Sequence, residues 1–170
     1  MSKAIVVGVD VDQSALDKLN RKIDSNGLSH RVKTRRYSMF ELSFPDESFD
    51  IIRVEGFIQA IGFEVGLTKW RRSLVPHGFL VIHDEIKALS HVLGRIPSCG
   101  YTLIRKFSLP ADAWWTDYYE PLEHRVKALY EKCTGNAEAI KTLGKVQKEI
   151  DMVKGNPKEC RSAFYILQKR

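Results

Sequence analysis

Two periodicities alternate along the chain, and their order predicts an α/β fold. Residues 4–7 (AIVV) are an uninterrupted apolar run, which is typical of a strand buried on both faces of a parallel sheet. Residues 14–25 carry apolar side chains at helical spacing, and Asn26 with Gly27 marks the predicted end of that helix. The charged residues 31–37 predict a short strand at a sheet edge.

The middle of the chain continues this alternation. Strands are predicted over residues 49–54 and 78–83, and helices over residues 57–74 (most clearly 64–74) and 86–96. Because strands and helices follow one another in this order, we expect parallel strands joined by right-handed crossovers.

The last third of the chain has a different pattern. Residues 101–107 and 162–168 are rich in β-forming side chains and predict two strands, which can pair antiparallel at one edge of the sheet. Residues 111–154 between them are charged and helical in pattern, with helices expected over 123–132 and 137–153. The sequence therefore predicts a single domain over residues 1–170, with 111–154 as a helical insertion or lid.

Composition and charge narrow the class of protein. The 170 residues are 44% apolar, no apolar run reaches membrane-spanning length, and the first residues lack the pattern of a signal peptide. These features predict a cytoplasmic protein without a membrane partner. The formal net charge is +6, but the basic clusters at 31–36 and 69–72 are short, so a solvated surface is favoured over nucleic-acid binding.

The cysteines indicate neither a metal site nor a disulfide framework. Cys99, Cys133 and Cys160 are far apart and odd in number, and no Cys/His spacing is typical of zinc. We expect reduced thiols and no metal.

Asp10 stands where the first strand gives way to a helix. Ligands of open α/β sheets bind at this carboxyl edge, and a carboxylate there can accept two hydroxyl hydrogen bonds from a ribose. The structural alternative is that Asp10 or Asp12 caps the following helix. The residues alone favour neither interpretation.

Three ordered stretches carry a resemblance to a known family: VVGVDVDQSALDKL, SFPDESFDII and KWRRSLVPHGFLVIHDE. Together they resemble the class I S-adenosylmethionine-dependent methyltransferases, and within them the small-molecule enzymes similar to those of quinone biosynthesis. The resemblance implies a Rossmann-like fold with a mostly parallel sheet, S-adenosylmethionine (SAM) as cofactor and a small-molecule methyl acceptor.

The resemblance also implies roles for residues that bind the adenosine part of the cofactor. Asp10 would accept hydrogen bonds from the ribose hydroxyls, and Val11 would lie on the adenine face. Ser38 and Met39 occupy the place of an Asp and an apolar neighbour that contact adenine in the family, so that contact is shorter and neutral here. Glu55 and Gly56 follow the fourth strand of the family, where the methionine end of the cofactor and the substrate are bound.

The chain departs from the family at its beginning. The family's central first strand and its glycine-rich loop have no counterpart, since Gly8 is the one glycine in the first 26 residues. A truncated domain with impaired activity is therefore expected. The strands on either side of the gap would expose edges. Three repairs are open: direct pairing of the strands at 4–7 and 49–54, a partner chain that fills the gap, or a longer natural protein of which this chain is a fragment. We expect direct pairing, with homodimerisation through exposed edges as an accessory.

Candidate substrate-binding residues lie farther along the chain. His83 at a strand end could act as a base, although a structural role is favoured. Trp114, Trp115, Tyr118 and Tyr119 could form an aromatic lid over the substrate, or dock the inserted helices onto the sheet, and docking is favoured for two of the four.

Other candidates have a less specific signal. Apolar residues after the strand at 49–54 could line a pocket or belong to the core: Phe57, Ile58 and Ile61. Basic residues could receive an anionic substrate, although a surface role is favoured: Arg35, Arg36 and Arg53. Methyl transfer needs alignment more than a catalytic triad, so no catalytic residue is assigned.

Two functions follow from this sequence. The first is SAM-dependent methyl transfer to a small molecule. The second is a non-catalytic, methyltransferase-like module with an oligomeric or scaffolding role. A nicotinamide-dependent reductase is disfavoured, because it too requires a glycine-rich first turn.

Overall fold

One helix and two parallel strands form the first of the two units into which the chain divides, Met1–Asp46 and Glu47–Arg170. The computed structural model describes residues 4–56, 58–156 and 160–170, apart from the side chain of Ala88. The elements of the first unit are β1 (Val6–Asp10), α1 (Gln13–Ser25) and β2 (Val32–Arg36). Strands β1 and β2 pair in parallel, and α1 buries Leu16 and Ile23. The apolar pattern predicted β1 and α1, and the charge of residues 31–37 predicted β2 as an edge strand.

The first strand is less buried than its apolar run predicts. Side chains before and within β1 are exposed, Ile5 by 68% and Val6 by 48%. The prediction of burial on both faces is wrong for this strand, because β1 pairs with β2 alone among the described strands.

The second unit contains a four-stranded sheet. Its elements are β3 (Phe49–Glu55), α2 (Ile58–Ile61), α3 (Phe63–Arg71), β4 (Leu74–Glu85), α4 (Ile86–Leu89), β5 (Tyr101–Ser108), α5 (Glu120–Lys132), α6 (Ala137–Gly155) and β6 (Ser162–Lys169). The strand order is β3-β4-β6-β5, with β3 parallel to β4 and β6 antiparallel to both of its neighbours. The antiparallel pair of the last two strands was predicted. The ladder expected between residues 4–7 and 49–54 is not formed by the described residues, since β1 and β3 belong to separate sheets.

The boundaries of β4 differ from the prediction. Helix α3 ends at Arg71 and β4 begins at Leu74, so the strand starts before the predicted residue 78 and includes the turn-forming residues Pro76, His77 and Gly78. Leu74 pairs with Phe49, and the register then shifts before Ile51. The irregularity lets the chain pass through the turn residues without leaving the sheet.

The helix expected over residues 86–96 is interrupted. Only α4 is α-helical there, and 3₁₀ turns follow at Leu93–Arg95 and Pro97–Cys99. Gly94 has low helix propensity and Pro97 restricts the residue before it, so both oppose a continuous helix.

The two faces of the sheet differ in burial. One face carries the core, with Leu80 and Ile82 of β4 beside Tyr165 and Leu167 of β6. The opposite face carries the half-buried side chains of the alternate residues, including His83 and Phe164. Within the described part of the chain, no helix is long and apolar enough to cross a membrane.

Candidate functional site

Two acidic residues follow the first strand: Asp12 caps helix α1, and Asp10 is left available to bind a ligand. Asp12 is the N-cap of α1, and its carboxylate accepts a hydrogen bond of 2.8 Å from the Ser14 N–H. Asp10 Oδ1 accepts one of 2.8 Å from the Asp12 N–H. The second oxygen of Asp10 has no hydrogen-bond partner among the described residues, and the side chain is exposed. Asp10 is therefore free to bind a ligand, because the helix is capped by its neighbour.

The segment after β2 lies beside Asp10. The Tyr37 N–H donates to the Asp10 carbonyl at 3.2 Å, and Arg36 Nε donates to the Val11 carbonyl at 3.1 Å. These bonds hold the two strand ends together and leave the Val11 side chain 59% exposed. The first unit thus presents a carboxylate beside an exposed apolar side chain.

Ser38 and Met39 follow directly on this segment and are half-buried. Ser38 Oγ accepts a hydrogen bond of 3.2 Å from the Phe40 N–H, which closes a turn. The hydroxyl retains its own hydrogen for donation. The first unit therefore contains all four residues predicted to bind adenosine.

Glu55 and Gly56 belong to the second unit, at the carboxyl end of β3. The Gly56 N–H donates to the His83 carbonyl at 2.9 Å, and Gly56 has φ of 70°, which favours glycine. A Cβ at this position would meet open space. Glu55 is exposed and forms an ion pair with Arg53. Phe57 lies outside the described residues.

The His83 side chain packs against two aromatic rings, those of Phe164 and Trp114. Its imidazole stacks on Phe164, with ring centroids 4.2 Å apart and planes 6° apart, and lies parallel to Trp114 at 5.9 Å. His83 Nε2 is 2.9 Å from Ser162 Oγ. The favoured structural role of His83 is thus visible in its contacts, while its role toward a substrate stays a prediction.

The four aromatic residues of the insertion have different surroundings. Trp115–Tyr119 form one π-helical turn. Trp114 Nε1 donates to Ser162 Oγ at 2.9 Å, so this ring is attached to the sheet. The Lys154 ammonium lies 5.1 Å from the centre of the Trp115 ring, and the Tyr119 hydroxyl donates to Glu149 at 3.0 Å, so both contact α6. Tyr118 is 51% exposed.

The hydrogen bond to Glu149 also affects the acidity of Tyr119. Burial raises the pKa of Tyr119, and the hydrogen bond and negative charge of Glu149 add to the rise, to about 12. The phenol is therefore protonated at neutral pH and acts as a donor. Of the four aromatic residues, Trp114 thus docks the insertion onto the sheet, whereas Trp115 and Tyr119 contact α6 within the insertion. Tyr118, which is exposed, stays the candidate for substrate contact.

Two buried polar side chains, Asp84 of β4 and Tyr165 of β6, lie on the core face of the sheet. Asp84 Oδ1 accepts from the Glu85 N–H at 2.8 Å, whereas Asp84 Oδ2 and the Tyr165 hydroxyl have no hydrogen-bond partner among the residues that the structure describes. Burial raises the pKa of Tyr165, and the negative charge of Asp84 raises it further. Asp84 does not cap α4, because the N-cap position is Glu85.

A cleft of about 340 Å³ opens beside α2 and α3. Ile58 lines it and is fully buried, so this residue serves both the pocket and the core. Arg95 and Glu64 also line it, and they form an exposed ion pair of 3.2 Å. Among the described residues, no group of three His, Cys, Asp or Glu side chains could hold a metal ion.

Comparison with known proteins gives a consistent picture of the fold. The family model for a methyltransferase domain matches residues 1–82. An uncharacterized protein of Haemophilus influenzae is 35% identical over 82 residues, which are 46% of this chain and 33% of that protein.

Solved structures of two SAM-dependent methyltransferases with bound S-adenosylhomocysteine (SAH) are similar to this chain. The one from Thiobacillus denitrificans has a TM-score of 0.76 at 17% identity, and the one from Geobacter sulfurreducens has 0.77 at 16%. Both alignments cover 98% of this chain and 76% of the other.

A [4+2]-cyclase, SpnF, has a similar fold, although its name describes a reaction other than methyl transfer. Its TM-score is 0.78 at 14% identity, over 98% of this chain and 66% of the cyclase. The chain therefore spans just under two thirds of the cyclase, and its matched segment spans one third of the Haemophilus protein. The reaction of this chain has to be argued from its own residues.

Proposed function

We propose that this chain is a class I SAM-dependent methyltransferase, which binds SAM and transfers the cofactor's methyl group to a small-molecule acceptor. The methyltransferase family model that matches residues 1–82 and the fold shared with two solved SAM-dependent methyltransferases support this proposal. The cytoplasmic location stays a prediction from the sequence. The proposal is supported most directly by Asp10, whose position and free oxygen are those that a ribose-binding carboxylate needs.

The first unit fits the adenosine part of the cofactor. Asp10 has an exposed oxygen that can accept a ribose hydroxyl, and Val11 offers apolar surface next to it. Met39 adds a second apolar side chain, and the Ser38 hydroxyl can donate to a ring nitrogen of adenine. No charged group is needed for adenine itself, so Ser38 in place of an Asp weakens the contact without abolishing it.

Glu55 and Gly56 of the second unit are the residues that the family resemblance implies for the methionine part. The Glu55 carboxylate can accept a hydrogen bond from an ammonium group, although it also forms an ion pair with Arg53. Gly56 lacks a side chain where a ligand can approach the backbone closely. When bound, the cofactor supplies an activated methyl group on a sulfonium, and the residues of the chain bind and orient the reactants.

The test is calorimetric titration of the chain with SAH. We expect micromolar binding for the wild type. Asp10→Ala removes hydrogen bonds to a charged acceptor, which contribute about 1.5–3 kcal/mol, so affinity should fall by about 10- to 150-fold.

Asp17→Ala is the matched control, because Asp17 is an exposed acidic residue of α1 outside the proposed site. It should leave the affinity for SAH unchanged. Wild-type protein that does not bind millimolar SAH would contradict the proposed function.

A second candidate function is a non-catalytic module with an oligomeric role. It is supported by apolar side chains at sheet edges, since Val9 in β1 is 39% exposed and Ile51 in β3 is 60% exposed. Each of these strands ends its sheet, and an apolar edge strand favours pairing with another chain.

Sedimentation velocity at increasing protein concentration tests this second function. We expect Val9→Lys and Ile51→Lys to lower the sedimentation coefficient at high concentration, because a charged edge opposes strand pairing. Met152→Lys, at an exposed apolar position of α6, is the control and should have no effect. A wild type that is monomeric at every concentration would exclude self-association.

A further inference from the structure

Ser162 links two ring nitrogens on the half-buried face of the sheet. Its hydroxyl oxygen lies 2.9 Å from Trp114 Nε1 and 2.9 Å from His83 Nε2, and the serine is buried, with 2% of its surface exposed. Among the described residues, Ser162 Oγ has no third hydrogen-bond partner.

The hydrogens in this link can be assigned from the chemistry of the groups. An indole N–H can only donate, so Trp114 donates to Ser162 Oγ. The serine hydrogen then has one acceptor within reach, His83 Nε2, and a buried hydroxyl that does not donate is unfavourable. Nε2 therefore accepts, and the hydrogen of the neutral imidazole resides on Nδ1.

The Nδ1–H is left as a donor on an aromatic surface that also carries the Arg53 guanidinium. Nδ1 has no hydrogen-bond partner in the part of the chain that the structure describes, and His83 is half-buried. The Arg53 guanidinium lies 5.7 Å from the centre of the Phe164 ring on which His83 stacks. Its partner Glu55 occupies only some of its five donors.

Exposed rings continue this surface. Phe107 stacks on Phe164 with centroids 5.0 Å apart and is 41% exposed, and the Arg105 guanidinium lies 5.9 Å from the centre of the Phe107 ring. On the other side, Tyr118 meets Trp114 edge to face at 6.2 Å. An anionic group at His83 and Arg53 would thus have aromatic surface beside it for a flat ring.

We propose that the Nδ1–H of His83 and the guanidinium of Arg53 bind the carboxylate of a flat aromatic molecule, and that this molecule is the methyl acceptor. Ser162 and Trp114 are positioning residues, since they hold the imidazole and determine which nitrogen carries the hydrogen. The part that concerns the acceptor rests on the proposed function, whereas the aromatic carboxylate site does not.

The first test is the tautomer of His83 in the intact protein. A long-range ¹H–¹⁵N correlation spectrum of the imidazoles, recorded where His83 is neutral, should show Nδ1 protonated and Nε2 unprotonated. Ser162→Ala should move the hydrogen toward Nε2, and Ser162→Thr should restore the wild-type pattern. His91→Gln, at an exposed histidine, is the control and should leave the His83 signals unchanged. Wild-type His83 with its hydrogen on Nε2 would overturn the inference.

The second test is a titration with benzoate, followed by the His83 signals. Benzoate should shift Nδ1–H and bind at least tenfold more weakly to His83→Phe, which keeps the stack, and to Arg53→Gln. Benzyl alcohol, which is flat and neutral, and acetate, which is charged without a ring, should bind more weakly than benzoate. Unchanged His83 signals at millimolar benzoate overturn the inference, even where SAH binds. Benzoate binding without SAH binding supports the carboxylate site and contradicts the methyl-transfer role.

Discussion

At the scale of single residues, neighbours of the same type have different roles because their partners differ. Asp12 is occupied by the helix that it caps, whereas Asp10, two residues earlier, keeps an oxygen free for a ligand. A carboxylate in the insertion is occupied more completely. Glu123 is buried, and its Oε1 lies 3.2 Å from the Lys154 ammonium and 3.5 Å from that of Lys127.

The ion pairs of Glu123 predict an acid-sensitive packing of α5 against α6. The hydrogen bond from Lys154 lowers the pKa of Glu123 below its ordinary 4.5, and the charge of Lys127 adds to this effect. A carboxyl whose pKa is lower in the folded state stabilises the fold above the unfolded-state pKa, and this contribution is lost as the pH falls through the folded-state pKa.

Urea unfolding of the wild type and Glu123→Gln at pH 7 and below pH 4 measures this effect. We expect the variant to be less stable than the wild type at pH 7 and the difference to shrink in acid. Glu131→Gln, at an exposed glutamate of α5, should behave like the wild type at both pH values. A difference between wild type and Glu123→Gln that is the same at both pH values would contradict the assignment.

At the scale of elements, two neighbouring residues inside β4 show how backbone conformation restricts the side chain at a position. His77 has φ of 61°, a left-handed conformation that is unfavourable for a residue with a side chain. At the next position, a Cβ on Gly78 would lie 2.9 Å from the Val75 carbonyl oxygen and 3.1 Å from that of Asp50. Glycine is thus required at 78 and would be favourable at 77.

These two positions give opposite expectations for substitution. Gly78→Ala should destabilise the protein by about 1–3 kcal/mol, because backbone oxygens must move. His77→Gly should stabilise it by up to about 1 kcal/mol, because left-handed strain is relieved. Urea unfolding at neutral pH measures both. A Gly78→Ala variant as stable as the wild type would mean that the strand start adapts to a side chain.

At the scale of the whole molecule, each of the two units has its own buried side chains. Leu16 and Ile23 are buried in the first, and a larger set that includes Leu67, Leu80 and Tyr165 is buried in the second. Separate cores predict that local stability differs between the units.

Native-state hydrogen exchange with one truncation in each core tests this expectation. Leu67→Ala should cost about 2–5 kcal/mol and lower protection in β4 and β6. Leu16→Ala should lower protection mainly in β1 and β2. Equal loss of protection in both units from either variant would show that they unfold together.

Much of the architecture followed from local pattern. The apolar run of β1, the periodic helix α1 and the β-rich residues 162–168 each identify their element, because backbone geometry links side-chain spacing to secondary structure. The acidic residue after the first strand and the order of three family stretches were sufficient to predict the methyltransferase fold, which two solved SAM-dependent methyltransferases share.

The sequence could not predict which residues meet across the sheet. Ser162 and Phe164 were not singled out, although they hold His83, because their contact depends on the antiparallel register of β6 against β4. That register places Phe164 opposite His83. A shift by one residue would turn both side chains to the other face, and nothing local in either strand specifies this alignment.

Sequence alone therefore determined the kinds and order of the elements and the candidate ligand-binding carboxylate, since these depend on neighbours within a few residues. Tertiary structure decided the exposure of β1, the early start of β4, the division of the aromatic residues between sheet and helix, and the surroundings of His83. These features depend on pairing and packing between residues that are distant in the chain, where burial and register outweigh local propensity.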